Sequence, residues 1–298
     1  ARRILIATGS VPVRPPIPGL ELAMTSDELL EGADHLYRSI VIIGGGVIGV
    51  EFATFYSDLG CSVTLLEGMD RLLPNMDREL GQNLALILKK QGVQVCTRSM
   101  VDRLEQTPEG IAVHYTAKET PGCAVGEAVL CAIGRRAFRD GLFAQGLTPE
   151  TNGHGLWVDE HYQTSIPGVF ACGNVVQVHD LVDFVSGESE LAGAAAANYI
   201  QNGPVATGRV LTVKPGADLG YTLPQRIRLE GVEKSTNVSF RVRRICGKST
   251  ILVKSGDTVI AHFKRDRLAP GEMEHIALPK VLLDRAPMDE VTIEIEEA

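Results

Sequence analysis

The fold of this chain is decided by the stretch Ser39-Ile-Val-Ile-Ile-Gly-Gly-Gly-Val-Ile-Gly-Val-Glu51. Its apolar run predicts a buried strand that leads into Gly44-x-Gly46-x-x-Gly49 and then into an apolar sequence at helical spacing. The first glycine permits a tight turn, the second lets backbone approach a pyrophosphate, and the third lets the helix pack closely on the strand. Free N–H groups at the start of the helix face the phosphates. The stretch therefore predicts a dinucleotide site.

A second strand supports this prediction, because Ser62-Val-Thr-Leu-Leu-Glu67 ends in a carboxylate 23 residues after Gly44 (67 minus 44). An acid at that position accepts hydrogen bonds from an adenosine ribose. It also repels the extra phosphate of NADPH, so NADH is the preferred nucleotide. Arg71 would soften the repulsion, but no bulky cation follows the strand directly. The alternative is an ordinary βαβ unit with a glycine turn.

The composition narrows the class of protein. A length of 298 residues predicts two or three domains, and a net charge of −8 argues against nucleic-acid binding. The sequence has no signal peptide and no apolar run of about 18 residues, so we expect neither secretion nor membrane insertion. The six cysteines have no close pairing and no metal-ligand spacing, which predicts no metal site and a cytoplasmic location.

Hydrophobic periodicity predicts the order of elements. Residues 39 to about 134 follow the order strand, helix, strand, helix, strand and β-meander, and one apolar face of the second helix includes Leu80, Ile87 and Leu88. Later in the chain, a polar stretch over residues 175–190 precedes a helix of small residues at 191–200.

The last part of the chain changes character. Strict alternation of apolar and charged residues predicts strands at 238–243, 259–264 and 291–296. One apolar and one charged face are typical of antiparallel sheets with a solvated side. We therefore expect a small, mostly antiparallel β domain here.

Three blocks of the sequence resemble the pyridine nucleotide–disulfide oxidoreductases, flavoproteins that bind two dinucleotides. The blocks are Ile6-Ala-Thr-Gly-Ser10, residues 39–67, and Ala132-Ile-Gly-Arg135 together with Thr164–Asn174. The resemblance covers roughly residues 1–200 and implies an α/β fold. In this fold a Rossmann-like NAD domain is inserted into a discontinuous FAD-binding domain, and a small C-terminal antiparallel β domain follows.

The resemblance also implies domain bounds. They are 1–19 for a return strand of the FAD domain, 20–38 for a linker, 39–136 for the NAD(H)-binding domain, 137–205 for the second part of the FAD-binding domain and 206–298 for the β domain. The family's first glycine motif, which binds the adenine half of FAD, would precede Ala1. Because the chain begins with Ala and opens directly on a strand, we expect a fragment that retains flavin weakly.

The implied cofactors are NAD, as NADH, and FAD. Gly44, Gly46 and Gly49 are expected at the NAD pyrophosphate and Glu67 at the ribose. Glu51 is expected either at the nicotinamide end of the first helix or facing solvent. Gly134 is expected to let NAD approach a strand end, and Arg135 either to anchor a phosphate or to pair with an acid. The residues expected to contact FAD are Thr8, Gly9, Gly173 and Asn174.

The segment from Gly173 to Glu190 is similar to a subgroup that accompanies FAD-dependent dehydrogenases of glycerol 3-phosphate, sarcosine or opines. It implies NADH/FAD hydride transfer by an electron-transfer component, with a dehydrogenase subunit or a second copy of the chain as partner. Two alternatives stay open: a thiol–disulfide reductase of the same family and a non-catalytic NAD-binding module. The usual histidine–acid pair of the disulfide reductases is not evident after residue 205, where only His262 and His275 occur.

His179 is the one candidate catalytic residue. It follows the second flavin motif, so it is expected to approach the isoalloxazine edge, with Asp180 and Asp183 adjusting its protonation. The alternative is a loop histidine that caps the next helix. Cys172 lies in an apolar strand and is expected to serve packing.

Overall fold

The computed structural model describes residues 3–32, 35–144, 146–151, 155–206 and 208–297. The chain divides into two compact units, one formed by Val11–Arg135 and the other by Ala1–Ser10 with Arg136–Ala298. The strands are β1 (Ile4–Ile6), β2 (Ser10–Pro12), β3 (Met24–Thr25), β4 (Ser39–Ile43), β5 (Ser62–Glu67), β6 (Gln94–Thr97), β7 (Ser99–Thr107), β8 (Gly110–Ala117), β9 (Thr120–Gly126), β10 (Ala128–Cys131), β11 (Arg135–Ala137), β12 (Val169–Ala171), β13 (Val210–Pro215), β14 (Leu219–Leu223), β15 (Arg226–Arg228), β16 (Ser235–Val242), β17 (Ser249–Ser255), β18 (Thr258–Arg265), β19 (Glu274–Pro279) and β20 (Glu290–Glu297).

The helices are α1 (Ser26–Glu31), α2 (Val47–Asp58), α3 (Arg78–Lys90), α4 (Asp140–Ala144), α5 (Val182–Asn202) and α6 (Lys280–Leu283), with short 3-10 helices at Leu20–Leu22, Gly173–Val175 and Leu229–Gly231. In the described part of the chain, none of these helices has the length and apolar character needed to cross a membrane.

The unit of residues 11–135 is built on a parallel sheet. Its five strands lie in the order β3-β10-β4-β5-β6. Alternate residues of β4 serve two cores: Ile40 and Ile42 pack with α2 and α3, whereas Val41 and Ile43 pack with the antiparallel meander of β7, β8 and β9. A strand that is buried on both faces has a continuous apolar sequence, and for this reason the sequence predicted β4 as a buried strand.

The segment expected to be a linker, residues 20–38, contributes to this unit. β3 pairs in parallel with β10, and α1 follows it with a capping box between Thr25 and Glu28. The Thr25 side chain accepts from the Glu28 N–H, while the Glu28 carboxylate accepts from the Thr25 N–H at 2.7 Å. The cap accounts for a helix as short as six residues.

The apolar face expected on α3 is only partly buried. Leu88 is fully buried, but Leu80 and Ile87 are 55% and 53% exposed. The buried line instead runs through Gly81 and Leu88, seven positions apart, because a side chain at Gly81 would lie 2.1 Å from the Leu72 carbonyl oxygen. That expectation was therefore wrong for Leu80 and Ile87.

The other unit contains a parallel strand pair and two larger sheets. β1 pairs in parallel with β12, Ile4 lying opposite Val169. The sheets have the orders β15-β13-β20-β17-β18 and β14-β16-β19, and one apolar core draws residues from both. The predicted strands near 238, 259 and 291 are present, with one parallel pair, β13 and β20, among antiparallel neighbours.

The helix expected at residues 191–200 begins earlier than predicted. α5 starts at Val182, inside the stretch that was expected to be polar connection. Of its first ten residues only Glu188 is buried, so its apolar periodicity was too weak to indicate a helix. The α/β fold class is confirmed.

Candidate functional site

The three glycines after β4 play different structural roles. Gly44 has φ +110, and a side chain there would lie 2.5 Å from the Ala132 carbonyl oxygen. A side chain at Gly49 would lie 1.9 Å from the Gly44 carbonyl oxygen, whereas one at Gly46 would have nothing within 4 Å. Gly44 and Gly49 therefore serve the chain's own close packing. Gly46 leaves open space at the start of α2, where a phosphate would need it.

Glu67 ends β5 next to this turn. It is 7% exposed, and its Oε2 accepts a hydrogen bond from the Gly45 N–H at 2.6 Å. Its Oε1 accepts from the Met69 N–H, also at 2.6 Å. Each carboxylate oxygen has two acceptor positions, so both retain one for a further donor. The carboxylate thus braces the glycine turn and still has capacity for ribose hydroxyls.

Two further predicted residues lie near the carboxyl ends of β4 and β10. Gly134 has φ +125 and open space where a side chain would stand, and its carbonyl accepts from the Val13 N–H at 2.9 Å. Glu51 is exposed on the first turns of α2, an arrangement compatible with both of its expected roles. Arg71 contacts the Asp70 carboxylate and donates to the Pro74 carbonyl at 2.8 Å.

Arg135 forms an ion pair with an acid. Its guanidinium donates to both Asp27 oxygens, at 2.6 and 3.2 Å, and this bond lowers the pKa of the Asp27 carboxyl. Such bidentate geometry is the strong form of an arginine–carboxylate contact. Of the two roles expected for Arg135, the structure favours acid pairing. Asp27 lies 108 residues away in sequence, and no local pattern signalled it.

The residues expected at FAD come together at one edge of the β1–β12 pair. Thr8 and Gly9 follow β1, and Gly173 and Asn174 follow β12, so parallel pairing places both segments at the same end. Gly9 and Gly173 have φ +71 and +75, and a side chain at Gly9 would meet nothing within 4 Å. The Thr8 hydroxyl donates to the Phe138 carbonyl at 2.7 Å and keeps its acceptor positions.

Glu188 is a site residue that the sequence did not reveal. It is 5% exposed on α5, and its Oε1 accepts from the Gly173 N–H at 2.6 Å. Its Oε2 accepts from the Gln177 side-chain amide at 3.0 Å. A buried charge needs such partners. The carboxylate therefore holds the turn after β12 as Glu67 holds the turn after β4. In the sequence, only its position 15 residues after Gly173 could have indicated this contact.

His179 lies against Glu188. Its Nε2 is 3.2 Å from Glu188 Oε1, and both side chains are 3% exposed. The backbone N–H of His179 donates to Asn174 Oδ1 at 3.3 Å. The helix-capping alternative is wrong, because the N-cap of α5 is Leu181 and makes no side-chain cap bond.

The acids expected to act on His179 are not paired with it. Asp180 forms an ion pair with Arg241 and accepts from the Met273 N–H at 2.8 Å, while Asp183 is exposed. Cys172 is buried, and burial raises the pKa of its thiol, which accords with packing. Among the described residues, no group of three or more histidines, cysteines or acids is arranged to hold a metal ion.

Known proteins resemble this chain in sequence. A dihydrolipoyl dehydrogenase of Acholeplasma laidlawii is 38% identical over 180 residues, which are 58% of this chain and 52% of that protein. A dihydrolipoamide dehydrogenase of Chaetomium thermophilum is 34% identical over 209 residues, 68% of this chain and 40% of that protein. The chain thus spans about half the length of these curated relatives. The names of these relatives do not support the expectation that this chain belongs to the subgroup that accompanies glycerol 3-phosphate, sarcosine or opine dehydrogenases.

A solved structure shares the fold. The Cu(II) complex of an HOCl-induced flavoprotein disulfide reductase from Escherichia coli superposes with a TM-score of 0.60 at 20% identity, covering 93% of this chain and 64% of that one. In sequence, the family model described as pyridine nucleotide-disulphide oxidoreductase matches residues 1–207, more than half of the chain. The chain therefore belongs to the pyridine nucleotide-disulphide oxidoreductase family.

Proposed function

We propose that this chain binds NADH at the β4–α2 turn and takes part in hydride transfer between the nicotinamide and FAD. The observation that carries the proposal is the Glu67 carboxylate, held by two backbone N–H groups beside a glycine turn with open space at Gly46. The turn supplies N–H groups for the pyrophosphate, and Glu67 supplies acceptors for the ribose.

The preference for NADH follows from the charge of Glu67. A second phosphate at the ribose would bring two anions together beside a carboxylate that is only 7% exposed. Like charges repel most strongly where water is excluded. Arg71 gives little compensation, since its contacts are with Asp70 and Pro74. NADPH should therefore bind more weakly than NADH.

The flavin contacts are the second part of the proposal. Thr8 and Gly9 would approach FAD from one strand end, and Gly173 and Asn174 from the other. The neutral amide of Asn174 offers an acceptor for a ribitol hydroxyl, although its Oδ1 already accepts from His179. Bound cofactors supply the redox chemistry, and the chain's groups position them.

An electron-transfer role in a complex is the favoured context. The partner would be a dehydrogenase subunit, and a second copy of the chain is the alternative partner. All six cysteines are free, which supports a reducing, cytoplasmic compartment.

A thiol–disulfide reductase is the alternative within the family, and the names of the relatives favour it. That chemistry uses a histidine paired with an acid to handle the thiol proton. Among the described residues after 205, neither His262 nor His275 lies within ion-pair distance of a carboxylate. A non-catalytic NAD-binding module is the second alternative.

Anaerobic addition of NADH to the purified protein supplemented with FAD separates these functions. Loss of the visible flavin absorbance band, without any added thiol or disulfide, supports hydride transfer. NADH binding with an unchanged flavin band would favour the binding module. Subsequent reoxidation of the reduced flavin by lipoamide, with formation of two thiols, would favour the disulfide reductase.

A further inference from the structure

Two exposed methionines lie close to Glu67, beyond the ends of the parallel strands. All six methionines belong to the described part of the chain, and three of them are exposed: Met69, Met100 and Met288, by 57%, 63% and 54%. Met69 lies just beyond the carboxyl end of β5, and Met100 follows the end of β6 as the second residue of β7. Open α/β sheets bind their ligands beyond the carboxyl ends of parallel strands, which is where these two residues lie.

Backbone hydrogen bonds join the segment after β5 to the connection between β6 and β7. The Met69 N–H donates to Glu67 Oε1 at 2.6 Å, and the Met69 carbonyl accepts from the Arg98 N–H at 2.7 Å. A side chain at Gly68 would lie 3.2 Å from the Cε methyl group of Met100 and 3.7 Å from its sulfur. The end of the Met100 side chain therefore covers the backbone of the residue that follows Glu67.

Met100 places an exposed apolar surface near the proposed ribose acceptor, Glu67. Flexible thioether side chains adapt their shape to a ligand and pack favourably against flat rings. With its ribose hydroxyls on Glu67, a nucleotide would extend its adenine past the end of β5, towards the residues that follow Glu67. Met69 and Met100 then supply the apolar surface that the base covers.

Oxidation changes such a surface from apolar to polar. A hydroperoxide transfers one oxygen atom to a methionine sulfur: the O–O bond breaks, an S=O bond forms, the sulfur loses two electrons, and the peroxide is reduced to water or an alcohol. Exposed thioethers are open to this reaction, whereas Met273, which is 7% exposed, is shielded from it. The new oxygen carries a partial negative charge, and at Met100 it would lie near the Glu67 carboxylate.

We propose that Met69 and Met100 form a redox switch at the NADH site, in which oxidation of their sulfurs to sulfoxides by hydrogen peroxide or an alkyl hydroperoxide weakens NADH binding. The apolar contact with the adenine is lost, and the sulfoxide oxygen must lose water when the nucleotide covers it. Enzymatic reduction of the sulfoxide reverses the change. The switch rests on the proposed binding of NADH, but not on FAD or on the direction of hydride transfer.

Titration of the purified chain with NADH, before and after treatment with hydrogen peroxide, tests the switch. Dithiothreitol follows the peroxide to reduce oxidised cysteines, and peptide mass spectrometry locates the added oxygen atoms. We expect sulfoxide at Met69 and Met100 and a dissociation constant for NADH that rises by about tenfold. Methionine sulfoxide reductases should restore the affinity. Unchanged affinity with both residues oxidised, or sulfoxide at neither residue, would overturn the proposal.

Leucine variants separate the switch from general oxidative damage. Met69→Leu/Met100→Leu keeps the side-chain volume nearly constant and removes both thioethers. Whatever its affinity before treatment, peroxide should raise its dissociation constant for NADH by less than about twofold. Met288→Leu removes the exposed methionine of the other unit and is the matched control, which should lose affinity as the native chain does. A double variant that loses as much affinity as this control would overturn the switch.

Met100→Gln gives a second readout that needs no oxidant. The amide is polar, as the sulfoxide is, and stands on an unbranched side chain, so NADH binding should weaken by about fivefold. Met288→Gln should change the affinity by less than about twofold, and equal affinities of the two variants would overturn the role of Met100. No NADH binding by the untreated native chain would overturn the proposed function and the switch with it. NADH binding that survives oxidation of both methionines would overturn the switch alone.

Discussion

Glu67 Oε2 accepts a 2.6 Å hydrogen bond from the N–H of Gly45, so the acid that ends one strand holds the glycine turn that follows its neighbour. A second bond, from the Met69 N–H to Oε1, completes the brace. The residue proposed to select the nucleotide therefore also stabilises the glycine turn of the proposed nucleotide site. This double role makes the effects of substitution on binding and on stability separable only by measuring both.

Glu67→Gln should lower NADH affinity by about tenfold and NADPH affinity much less, because the amide keeps one acceptor but loses the charge that repels the extra phosphate. The free energy of unfolding should fall by about 1–3 kcal/mol, since one buried N–H loses its acceptor. Nucleotide fluorescence titrations and urea unfolding measure the two effects. Glu109→Gln, at an exposed turn, is the matched control. An equal loss of affinity for both nucleotides would contradict the selectivity role.

Gly46→Ala should affect mainly NADH binding, whereas Gly49→Ala should affect mainly the stability of the fold. Gly46→Ala introduces a methyl group into open space, so the free energy of unfolding should fall by no more than about 1 kcal/mol, the cost of alanine at an N-cap, while NADH affinity falls about tenfold or more. Gly49→Ala places a methyl group 1.9 Å from the Gly44 carbonyl oxygen and should lower the free energy of unfolding by about 1–3 kcal/mol. Unchanged NADH affinity in Gly46→Ala would contradict the proposal that the pyrophosphate lies next to Gly46.

Arg135→Met should raise the pKa of the Asp27 carboxyl, because the guanidinium bond that lowers it is lost. In the native chain, the contribution of this ion pair to stability is therefore present above the ordinary pKa of an aspartate. It is lost as the pH falls through the lowered pKa of Asp27. Carboxyl carbon NMR shifts of Asp27 report the change. We expect NADH affinity to stay within about twofold, and a loss of tenfold or more would restore the phosphate-anchor role.

Asp159 gives a pH dependence of the opposite sign. Burial raises the pKa of its carboxyl to about 6, Glu160 adds to the shift, and Arg228 opposes it. Because the folded state holds this proton more tightly than the unfolded state, stability from this group appears as the pH falls through about 6 and is lost at neutral pH. The contribution is at most about 3 kcal/mol.

Urea unfolding of the native chain and of Asp159→Asn measures this contribution. Each protein is unfolded at about pH 4 and at about pH 7, below and above the pKa of Asp159, and is followed by Trp157 fluorescence. The native chain should gain more stability on acidification than the variant. The neighbouring single tryptophan reports on the same unit. An identical pH dependence in both proteins would contradict the assignment to Asp159.

Local sequence predicted the strand–turn–helix of β4 and α2, but not the contacts around the turn after β12. The β4–α2–β5 unit is encoded by a continuous apolar run, a glycine pattern and a terminal acid, all within 29 residues (39 to 67). The buried line of α3 was misjudged because it depends on Gly81 approaching the Leu72 carbonyl, a contact that hydrophobicity does not express.

Long-range partners account for the other omissions. The bond between Arg135 and Asp27 joins residues 108 positions apart, and the role of Glu188 depends on α5 folding back onto Gly173. His179 stays a prediction as a catalytic residue, and the acid beside it, Glu188, was not predicted, because Asp180 and Asp183 were nearer along the chain. Sequence distance was a poor guide where a helix returns to a strand end.

Titration of the purified chain with NADH and NADPH, in parallel and at the same ionic strength, tests directly whether this chain binds NADH and prefers it to NADPH. If Glu67 and the β4–α2 turn bind the nucleotide as proposed, NADH binding is saturable and at least about tenfold tighter than that of NADPH, and the difference is reduced in Glu67→Gln. No saturable NADH binding, or tighter binding of NADPH, would contradict it.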